Sequence, residues 1–382
     1  MTIGILGGGQ LGYMLALAGY PLGLHFRFLD PSPEAPVGRI AQRVTADFDD
    51  LSALEKFAGG LELVTYEFEN VPVDAAKFLA ERVPVYPPPA ALEAAQDRLN
   101  EKQLFQKLGI PATEFVSVPK PSALDSAVKN LGLPAVLKTC RLGYDGKGQW
   151  TLRTPEDVAK AKPELPVVPL ILERFVPFTR ELSVLAVRSR AGEIAFYPLV
   201  ENHHRGGILR LSLAPAPRLE PPIQRSAEDA ARRVLESLNY VGVLAIEFFE
   251  CQGRLLANEM APRVHNSGHW TIEGAVTSQF ESHLRAVLGL PLGSTGPASH
   301  CAMLNLIGEL PDSAEVLAVP DAHLHLYGKS PRPGRKLGHV TLRAASPERL
   351  ALRLSELSPF FHRPEFCLDA TLTPSASLRA SL

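Results

Sequence analysis

Polar side chains of the kinds that bind metals and anions are concentrated between Asn258 and His269. The segment is Asn-Glu-Met-Ala-Pro-Arg-Val-His-Asn-Ser-Gly-His, and it follows an apolar stretch with strand character. Within it, Arg263 can bind a carboxylate or bicarbonate through two parallel hydrogen bonds. His265 can act as a base or as a hydrogen-bond donor near neutral pH. We therefore expect a site that holds a metal, a phosphate and a small anion together.

A second group of metal-binding side chains is predicted on a β-hairpin with strands at residues 243–250 and 255–260. The hairpin brings Glu247 close to Asn258 and Glu259, although the sequence leaves the register open. Two carboxylates and an amide oxygen suit Mg²⁺ bound together with nucleotide phosphates, and they suit zinc poorly. The alternative is a pair of solvent-exposed carboxylates, which would need no metal.

Two glycine-rich segments could cradle phosphates. Gly7-Gly-Gly-Gln-Leu-Gly12 follows a strand pattern and opens a helix, and Asp30 ends the next strand, as in a dinucleotide-binding fingerprint. Its amides could also hold a phosphate of another substrate, or its glycines could serve close packing alone. The second segment, residues 143–149, follows a predicted strand and lacks the Gly-Lys-Ser/Thr of a Walker A loop. It could close over phosphates or form an exposed hairpin tip.

Alternating strands and helices in the first 90 residues position the first glycine segment. Predicted strands are 3–6, 25–29 and 63–65, and predicted helices are 11–18, 51–57 and 73–82. This βαβ pattern predicts a parallel sheet. The prolines at 87–89 mark a boundary. We expect domains at 1–90, 91–290 and 291–382, the second divided into two subdomains with a flexible loop at 143–149. From about residue 298 onward the pattern predicts alternating strands and loops with many prolines.

The composition is that of an ordinary soluble globular protein, with 382 residues, 46% hydrophobic, 21% charged and a net charge of −2. The near-neutral charge argues against a nucleic-acid surface driven by bulk charge. No signal-peptide pattern follows Met1, and no apolar run is long enough to span a bilayer. The cysteines are scattered without a CxxC pair, which favours a reducing compartment. We expect a cytoplasmic protein with no nucleic-acid and no membrane partner.

The order of these motifs resembles the ATP-grasp carboxylate–amine ligases, and in more detail the biotin-independent carboxylases of purine biosynthesis. The similar segments cover most of the chain: Gly7-Gly-Gly-Gln-Leu-Gly12, Thr65-Tyr-Glu-Phe-Glu-Asn-Val71, Gly143-Tyr-Asp-Gly-Lys-Gly-Gln149, Asn258 to Trp270, and Arg332-Pro-Gly-Arg-Lys-Leu-Gly-His339. The resemblance implies a mixed α/β fold of the ATP-grasp type, with an N-terminal Rossmann-like pre-ATP-grasp domain and a small C-terminal β-rich domain. It implies that ATP, bicarbonate and 5-aminoimidazole ribonucleotide give the N5-carboxylated ribonucleotide, ADP and phosphate through carboxyphosphate, without biotin.

The resemblance also assigns ATP and Mg²⁺ to the middle of the chain. It implies Glu247 and Glu259 as Mg²⁺ ligands, residues 173–176 as the adenine contact and Glu181 as the ribose contact. The implied ATP contacts are Arg98, Lys138, Gly143, Tyr144, Asp145, Gly146, Lys147, Gly148, Gln149, Glu173, Arg174, Phe175, Val176, Glu181, His204, Asn258 and Glu259.

The resemblance assigns the amine substrate and bicarbonate to three separate parts of the chain. The implied contacts of the amine substrate are Gln10, Leu11 and Glu67, with Glu69 as the alternative to Glu67. Bicarbonate or carboxyphosphate would be held within the Arg263 segment. The implied catalytic residues are Arg263, His265, Asn266, Lys329, Arg335, Tyr144 and Asp145, with Arg332 as the alternative to Arg335.

The resemblance further implies a homodimer whose product passes to a separate mutase. Three other functions stay open. A formate-dependent glycinamide ribonucleotide transformylase shares the architecture but would not need the Arg263–His265 pair. A Rossmann NAD-dependent oxidoreductase would leave the later nucleotide motifs without a purpose. A non-catalytic ATP-binding scaffold would be expected to lose Glu247, Glu259 or Arg263, and the chain keeps all three.

Overall fold

The described residues form three β-sheets with helices packed against them, as seen in a computed structural model. The structure describes residues 1–143 and 147–361, with the backbone alone for residues 358–361. The sequence-based predictions for Tyr144, Asp145 and Gly146 therefore lie outside the described residues.

The strands and helices have the following bounds. The strands are β1 Thr2–Leu6, β2 His25–Leu29, β3 Gln42–Val44, β4 Leu63–Tyr66, β5 Phe115–Val118, β6 Ala135–Thr139, β7 Gln149–Leu152, β8 Leu170–Arg174, β9 Arg180–Arg188, β10 Ile194–Phe196, β11 Val200–Arg205, β12 Ile208–Ala214, β13 Gly242–Cys251, β14 Arg254–Ala261, β15 His300–Ile307, β16 Ala322–Leu326 and β17 Lys336–Ala344. The helices are α1 Gln10–Gly19, α2 Leu51–Ala58, α3 Val73–Ala80, α4 Pro89–Ala95, α5 Arg98–Lys107, α6 Leu124–Leu131, α7 Pro155–Ala161, α8 Pro221–Ser237, α9 Thr271–Gly274, α10 Gln279–Leu288, α11 Ser313–Leu317 and α12 Pro347–Phe361. Within the described ranges, none of these helices has both the length and the apolar character needed to cross a membrane.

The first sheet contains four parallel strands in the order β3-β2-β1-β4. Its strands bury Ile3, Ile5 and Phe28 completely, as expected when helices cover both faces of a parallel sheet. The βαβ arrangement predicted from the first 90 residues is confirmed. Helix α1 packs against α10, and one hydrophobic core joins Met14 of this domain to Leu284. This shared core holds the first glycine segment next to the largest sheet.

A small antiparallel sheet has the order β5-β8-β6-β7. Helices α6 and α7 pack on it through a core that includes Leu124, Leu137 and Val158. The second glycine segment connects β6 to β7. Gly148 in this connection has a φ of +67°, and a Cβ there would lie 2.7 Å from Thr139 Oγ1. Glycine is required at this position because both the backbone conformation and the space exclude a side chain.

The largest sheet has nine strands and joins the second and third segments of the chain. Its path is β14-β13-β9-β11-β12-β15-β17-β16, with β10 added beside β9. Strands β11 and β12 form a hairpin whose turn residues, Gly206 and Gly207, both have positive φ, as tight hairpins require. Strands β15, β17 and β16 continue this same sheet instead of forming a separate one.

The C-terminal segment also contains two helices, α11 and α12, where strands and loops were expected. Helix α12 buries Leu350, Leu354 and Leu357 against Val316 and Val340. The spacing of the three leucines places them on one face of a helix. The prediction of strands and loops alone was wrong here, because the prolines nearby obscured this spacing.

Candidate active site

Two adjoining cavities open where the three sheets meet. The first cavity lies against the N-terminal domain, and its lining includes Gln10, Leu11, Glu69, Gly143, Arg263, His265, Asn266 and Lys336. The second cavity lies against the small antiparallel sheet, and its lining includes Lys138, Gln149, Glu173, Arg174, Phe175, Val176, Glu181 and Asn258. Residues that line both cavities form a shared wall, which consists of Arg98, His204, Gly207, Glu247 and Glu259.

The shared wall is built partly on the predicted hairpin, now seen as β13 and β14. Glu247 pairs directly with Glu259, and a β-bulge at this point makes Asn258 the extra residue on its strand. Neighbouring residues on a regular strand face opposite sides of the sheet. The bulge changes this locally, and Asn258 and Glu259 both line the second cavity. The hairpin therefore brings the three predicted metal-site residues together.

The two carboxylates of the wall differ in charge state. Arg98 Nη1 lies 2.8 Å from Glu259 Oε2. Burial would raise the pKa of Glu259, but Arg98 lowers it to about 2. Burial raises the pKa of Glu247 to about 7, with the charge of His204 opposing this shift and that of Glu259 adding to it. Glu259 is therefore ionised at neutral pH, whereas Glu247 is only partly ionised unless a further cation is close.

The side chains around Glu247 fit a hard divalent cation such as Mg²⁺. Asn258 Oδ1 is buried and has no hydrogen-bond partner. Ligand atoms of Glu181, His204 and Glu247 all lie within 4.8 Å of one another. His204 Nδ1 is 2.7 Å from Glu181 Oε2, and this pairing raises the pKa of His204 to about 9 against the effect of burial. Because the His204 ring is protonated, the oxygen atoms on the hairpin are the suitable metal ligands.

Two lysines and a glutamate form a buried ionic triad behind the second cavity. Lys138 Nζ lies 2.9 Å and Lys102 Nζ 3.6 Å from Glu173 Oε2. Burial would raise the pKa of Glu173, but the two lysines lower it to about 2. Lys102 Nζ also donates a hydrogen bond to the Ala257 carbonyl, at 3.2 Å. Glu173, predicted as part of the adenine contact, is thus an anion held between two lysines.

Of the other residues predicted around ATP, Gly143 lines the first cavity, and Lys147 and Gly148 line neither, but the remaining described ones border the second cavity. Phe175, Val176 and Gln149 line it. Arg174 forms a surface ion pair with Glu114 at 2.7 Å. Phe178 and Phe249 stack with their ring centres 4.7 Å apart, and both line the cavity. Flat apolar groups beside charged ones suit a nucleotide base and its phosphates.

The structure brings Arg263, His265 and Asn266 together in the lining of the first cavity. Arg263 Nε donates to Glu69 Oε2. Burial and the charge of Arg263 lower the pKa of His265 to about 3. Asn266 exchanges two hydrogen bonds with Asn305 of β15, at 3.0 and 2.7 Å. A cationic guanidinium, a neutral imidazole and an oriented amide therefore face one space, which suits a small oxyanion.

Glu67 and Glu69 have different partners. Both carboxylate oxygens of Glu67 accept hydrogen bonds from the first glycine segment, from the amides of Gly9 at 2.8 Å and of Leu11 and Gly12 at 3.1 Å. Glu69 lines the first cavity, whereas Glu67 is not among its lining residues. The amides that would bind the pyrophosphate of a dinucleotide are thus bound by Glu67. This arrangement argues against the oxidoreductase alternative.

Lys329 and Arg335, both predicted as catalytic, are not among the residues that line the first cavity. Lys329 Nζ donates to Gln10 Oε1. Burial lowers the pKa of Lys329 to about 8, opposed by the charge of Glu67. Arg335 and Lys329 line a separate basic cavity together with Arg39 and Arg43. Gln10 and Leu11 line the first cavity, and Gln10 therefore links that space to the basic cavity.

Sequence reasoning missed three residues that support the site. Lys102 and Glu101 lie one turn into α5, and both are buried. Glu101 Oε1 accepts a hydrogen bond from the Met260 amide, at 2.5 Å, and so fixes the strand beside Glu259. Asn305 orients Asn266 from 39 positions away. The charged pair in α5 could have been noticed because it follows Arg98, but nothing in the sequence connects Asn305 to Asn266.

Three family models together match most of the chain. The ribonucleotide synthetase preATP-grasp domain matches residues 1–96. The ATP-grasp domain matches residues 103–280. The C-terminal domain of phosphoribosylaminoimidazole carboxylase matches residues 301–353. The order of the three agrees with the fold described above.

The chain is also similar to individual proteins over nearly its whole length. It is 56% identical over 357 residues to an N5-carboxyaminoimidazole ribonucleotide synthase of Pseudomonas aeruginosa, covering 94% of this chain and 98% of that protein. A crystal structure of the N5-carboxyaminoimidazole ribonucleotide synthetase of Thermus thermophilus is 62% identical, with a TM-score of 0.90 and coverage of 94% and 98%. The N5-carboxyaminoimidazole synthase of Aspergillus clavatus, solved with ADP and 5-aminoimidazole ribonucleotide, is 32% identical, with a TM-score of 0.87 and coverage of 94% and 97%.

Proposed function

The chain belongs to the N5-carboxyaminoimidazole ribonucleotide synthase family of ATP-grasp enzymes, and we propose that its two cavities divide the work of that family's reaction. It is an ATP-dependent ligase that carboxylates 5-aminoimidazole ribonucleotide in purine biosynthesis. The observation that carries the proposal is the shared wall. Arg98, Glu247 and Glu259 line both cavities, so a phosphate bound in one lies next to an anion bound in the other.

ATP occupies the second cavity in this proposal. Lys138 and Arg98 neutralise phosphate charge, residues 175–176 contact the base, and Glu181 and His204 lie on the ribose side. When Mg²⁺ is bound at Glu247, Asn258 and Glu259, it neutralises the charge that develops on the transferring phosphoryl group. The support is the unpartnered Asn258 oxygen beside two carboxylates.

Bicarbonate occupies the first cavity, held by Arg263, His265 and Asn266. One bicarbonate oxygen attacks the γ-phosphorus of ATP, the bond to the β-phosphate oxygen breaks, and ADP and carboxyphosphate result. The amino nitrogen of 5-aminoimidazole ribonucleotide then bonds to the carbon as the carbon–oxygen bond to phosphate breaks, and one amino proton leaves with the phosphate. Arg263 stabilises negative charge on the oxyanion, and His265 can donate one hydrogen bond because its ring is neutral.

5-Aminoimidazole ribonucleotide enters beside Gln10 and Leu11. Its phosphate is met by Lys329 and Arg335, and the support is the basic cavity that these two residues line. Tyr144 and Asp145 stay predictions, because they lie outside the described residues. A homodimer, a cytoplasmic location and a separate mutase that takes the product also stay predictions.

Phosphate release from ATP should increase when 5-aminoimidazole ribonucleotide and bicarbonate are added together. The arrangement of Arg263, His265 and Asn266 around one small-anion space is the reason. Labelled bicarbonate should appear in an acid-labile product of the ribonucleotide. Stimulation by formate with glycinamide ribonucleotide in place of these substrates would instead support the transformylase alternative.

Separate substitutions of the two neighbouring glutamates by glutamine should show that one supports catalysis and the other stability. Glu69→Gln should lower kcat/KM by about 10- to 100-fold, as loss of an orienting partner typically does, because Arg263 loses its carboxylate. Glu67→Gln should destabilise the N-terminal domain by about 1–3 kcal/mol, because three backbone amides, two of them in buried hydrogen bonds, lose a charged acceptor. Steady-state kinetics and urea unfolding measure the two effects. A Glu67→Gln enzyme with normal stability and weak ribonucleotide binding would support Glu67 as the substrate ligand instead.

A further inference from the structure

A buried chain of hydrogen bonds leads through the largest sheet to His265. Ser212 Oγ donates to Asn202 Oδ1 at 2.8 Å, and Asn202 Nδ2 donates to Ser183 Oγ at 2.9 Å. Ser183 Oγ donates to Ser267 Oγ at 2.8 Å, and Ser267 Oγ lies 2.9 Å from His265 Nδ1. The three serines are fully buried and the asparagine nearly so. We call these four residues the serine–asparagine chain.

Two contacts, one at each end, favour the same direction of hydrogen-bond donation along this chain. At one end the Asn202 amide nitrogen can donate but cannot accept, so Ser183 accepts from it and donates onward to Ser267. Ser267 then has its own hydroxyl proton left for His265 Nδ1. At the other end the Ser267 backbone amide donates to the same Nδ1, at 3.3 Å. A backbone N–H is always a donor, so this longer contact also favours Nδ1 as an acceptor.

We propose that the serine–asparagine chain is a positioning device that holds His265 as the tautomer with its proton on Nε2. Nε2 lies 3.6 Å from Glu247 Oε1, beyond hydrogen-bond range. His265 lines the first cavity. The Nε2 proton is therefore available to an oxyanion in that cavity. With the opposite tautomer, Nε2 would present a lone pair to the anion and repel it.

The strand pairing of the largest sheet places the members of the serine–asparagine chain next to one another. Ser212 and Asn202 are direct partners on β12 and β11. Ser183 on the next strand, β9, is the direct partner of Glu247 on β13. The chain thus crosses neighbouring strands toward the shared wall. A fully hydrogen-bonded polar network in a core specifies one arrangement. Apolar packing around His265 would not distinguish between the two tautomers of its ring.

The inference rests on the proposed function for the role of the Nε2 proton, but the tautomer can be measured without it. Long-range ¹H–¹⁵N NMR spectra of the intact protein labelled on histidine distinguish a protonated from an unprotonated ring nitrogen. The His265 signals are identified by their loss in His265→Gln. We expect Nδ1 to be unprotonated and Nε2 protonated in the resting enzyme. Phosphate release by the unaltered protein, measured beside it, tests the proposed function independently.

Asn202→Asp should reverse the chain, because a carboxylate accepts where the amide donated. Ser183 would then donate to residue 202, Ser267 to Ser183, and His265 Nδ1 to Ser267 Oγ, although the Ser267 amide at 3.3 Å still favours the original tautomer. The spectrum should move toward the tautomer with its proton on Nδ1. The value of kcat should fall by about 10- to 100-fold, while KM for ATP stays within about twofold.

Ser183→Ala in the Asn202→Asp background provides the rescue. It cuts the chain between the altered residue and His265, so the Nε2 tautomer and most of kcat should return. Ser282→Ala is the matched control, because Ser282 is equally buried and bonds Tyr197 at 2.7 Å, outside the chain. It should leave tautomer and kcat unchanged.

Four results would overturn the inference. They are a proton on Nδ1 in the resting enzyme, an unchanged tautomer in Asn202→Asp, a changed tautomer with full kcat, and no rescue by Ser183→Ala. Should Asn202→Asp not fold, Ser267→Ala decides in its place, since it removes the hydroxyl that touches His265. It is expected to give a mixture of tautomers and a lower kcat, and unchanged values of both would overturn the inference.

Discussion

Glu259→Gln should reduce carboxylation by about 10³-fold or more, the scale at which phosphoryl-transfer sites lose rate when a charged group is removed. Glu259 is ionised because Arg98 lowers its pKa to about 2 despite burial. Glutamine keeps the shape of the side chain and removes its charge. In the proposed arrangement, Mg²⁺ would lose an anionic ligand at the wall where both cavities meet. Phosphate release and calorimetric titration of Mg·ATP measure the loss.

The same substitution should leave the fold intact, since a second carboxylate can take over the pairing of Arg98. Burial and the charge of Glu259 raise the pKa of Glu101 to about 8. Without Glu259, Glu101 can ionise and neutralise Arg98, so the thermal midpoint should move by no more than about 4 °C. Glu281→Gln is the control, because it breaks a half-buried pair with Arg285 at 3.1 Å, away from both cavities, and should retain full activity. A Glu259→Gln enzyme within tenfold of normal activity would falsify the metal assignment.

The sequence was informative wherever the relevant pattern is local. The hairpin with Glu247 could be predicted because two apolar stretches flank Gln252 and Gly253, residues that suit a tight turn. The βαβ order of the N-terminal domain follows from alternating periodicity in the same way. The resemblance then supplied the order of motifs, and with it the family. These predictions are confirmed by the fold and the comparisons.

Contacts between distant segments could not be predicted from one sequence. The bulge at Asn258 decides which side chains share a face, and it depends on the pairing of two strands and not on either strand alone. Glu67 and Glu69 are equivalent in sequence, and they differ only because the glycine amides lie beside one of them. Asn305 reaches Asn266 through the order of strands in the large sheet. Such partners are visible only once the chain is folded.

Glu173→Gln should lower the free energy of unfolding at pH 7 by about 3–5 kcal/mol, the usual cost of removing one partner from a buried ion pair. Glu173 is 2% exposed and lies within 4 Å of Lys138 and Lys102. Glutamine cannot balance two buried ammonium groups. Urea unfolding measures the change. Glu114→Gln is the control, because it breaks an exposed pair with Arg174 on the same sheet and should cost no more than about 1 kcal/mol.

The stability difference between the unaltered protein and Glu173→Gln should depend on pH, and its direction follows from the pKa of Glu173. The pKa of Glu173 falls from its ordinary 4.5 to about 2 on folding. A depressed pKa stabilises the folded state above pH 4.5, and this contribution is lost as the pH falls from 4.5 toward 2. The difference in the free energy of unfolding between the unaltered protein and Glu173→Gln should therefore be largest at neutral pH. It should become smaller below about pH 4.5. A constant difference across this range would contradict the assignment of the buried anion to Glu173.

A double substitution distinguishes the ionic triad from a direct adenine contact. Lys102→Met with Glu173→Leu replaces the fully buried pair by apolar side chains, an exchange that is often neutral in free energy. Lys138 borders the second cavity and can reach water or a phosphate there. The double variant should therefore regain at least about half of the stability that Glu173→Gln loses. If Glu173 acted chiefly on adenine, Glu173→Gln would raise KM for ATP without loss of stability, and the double variant would recover nothing.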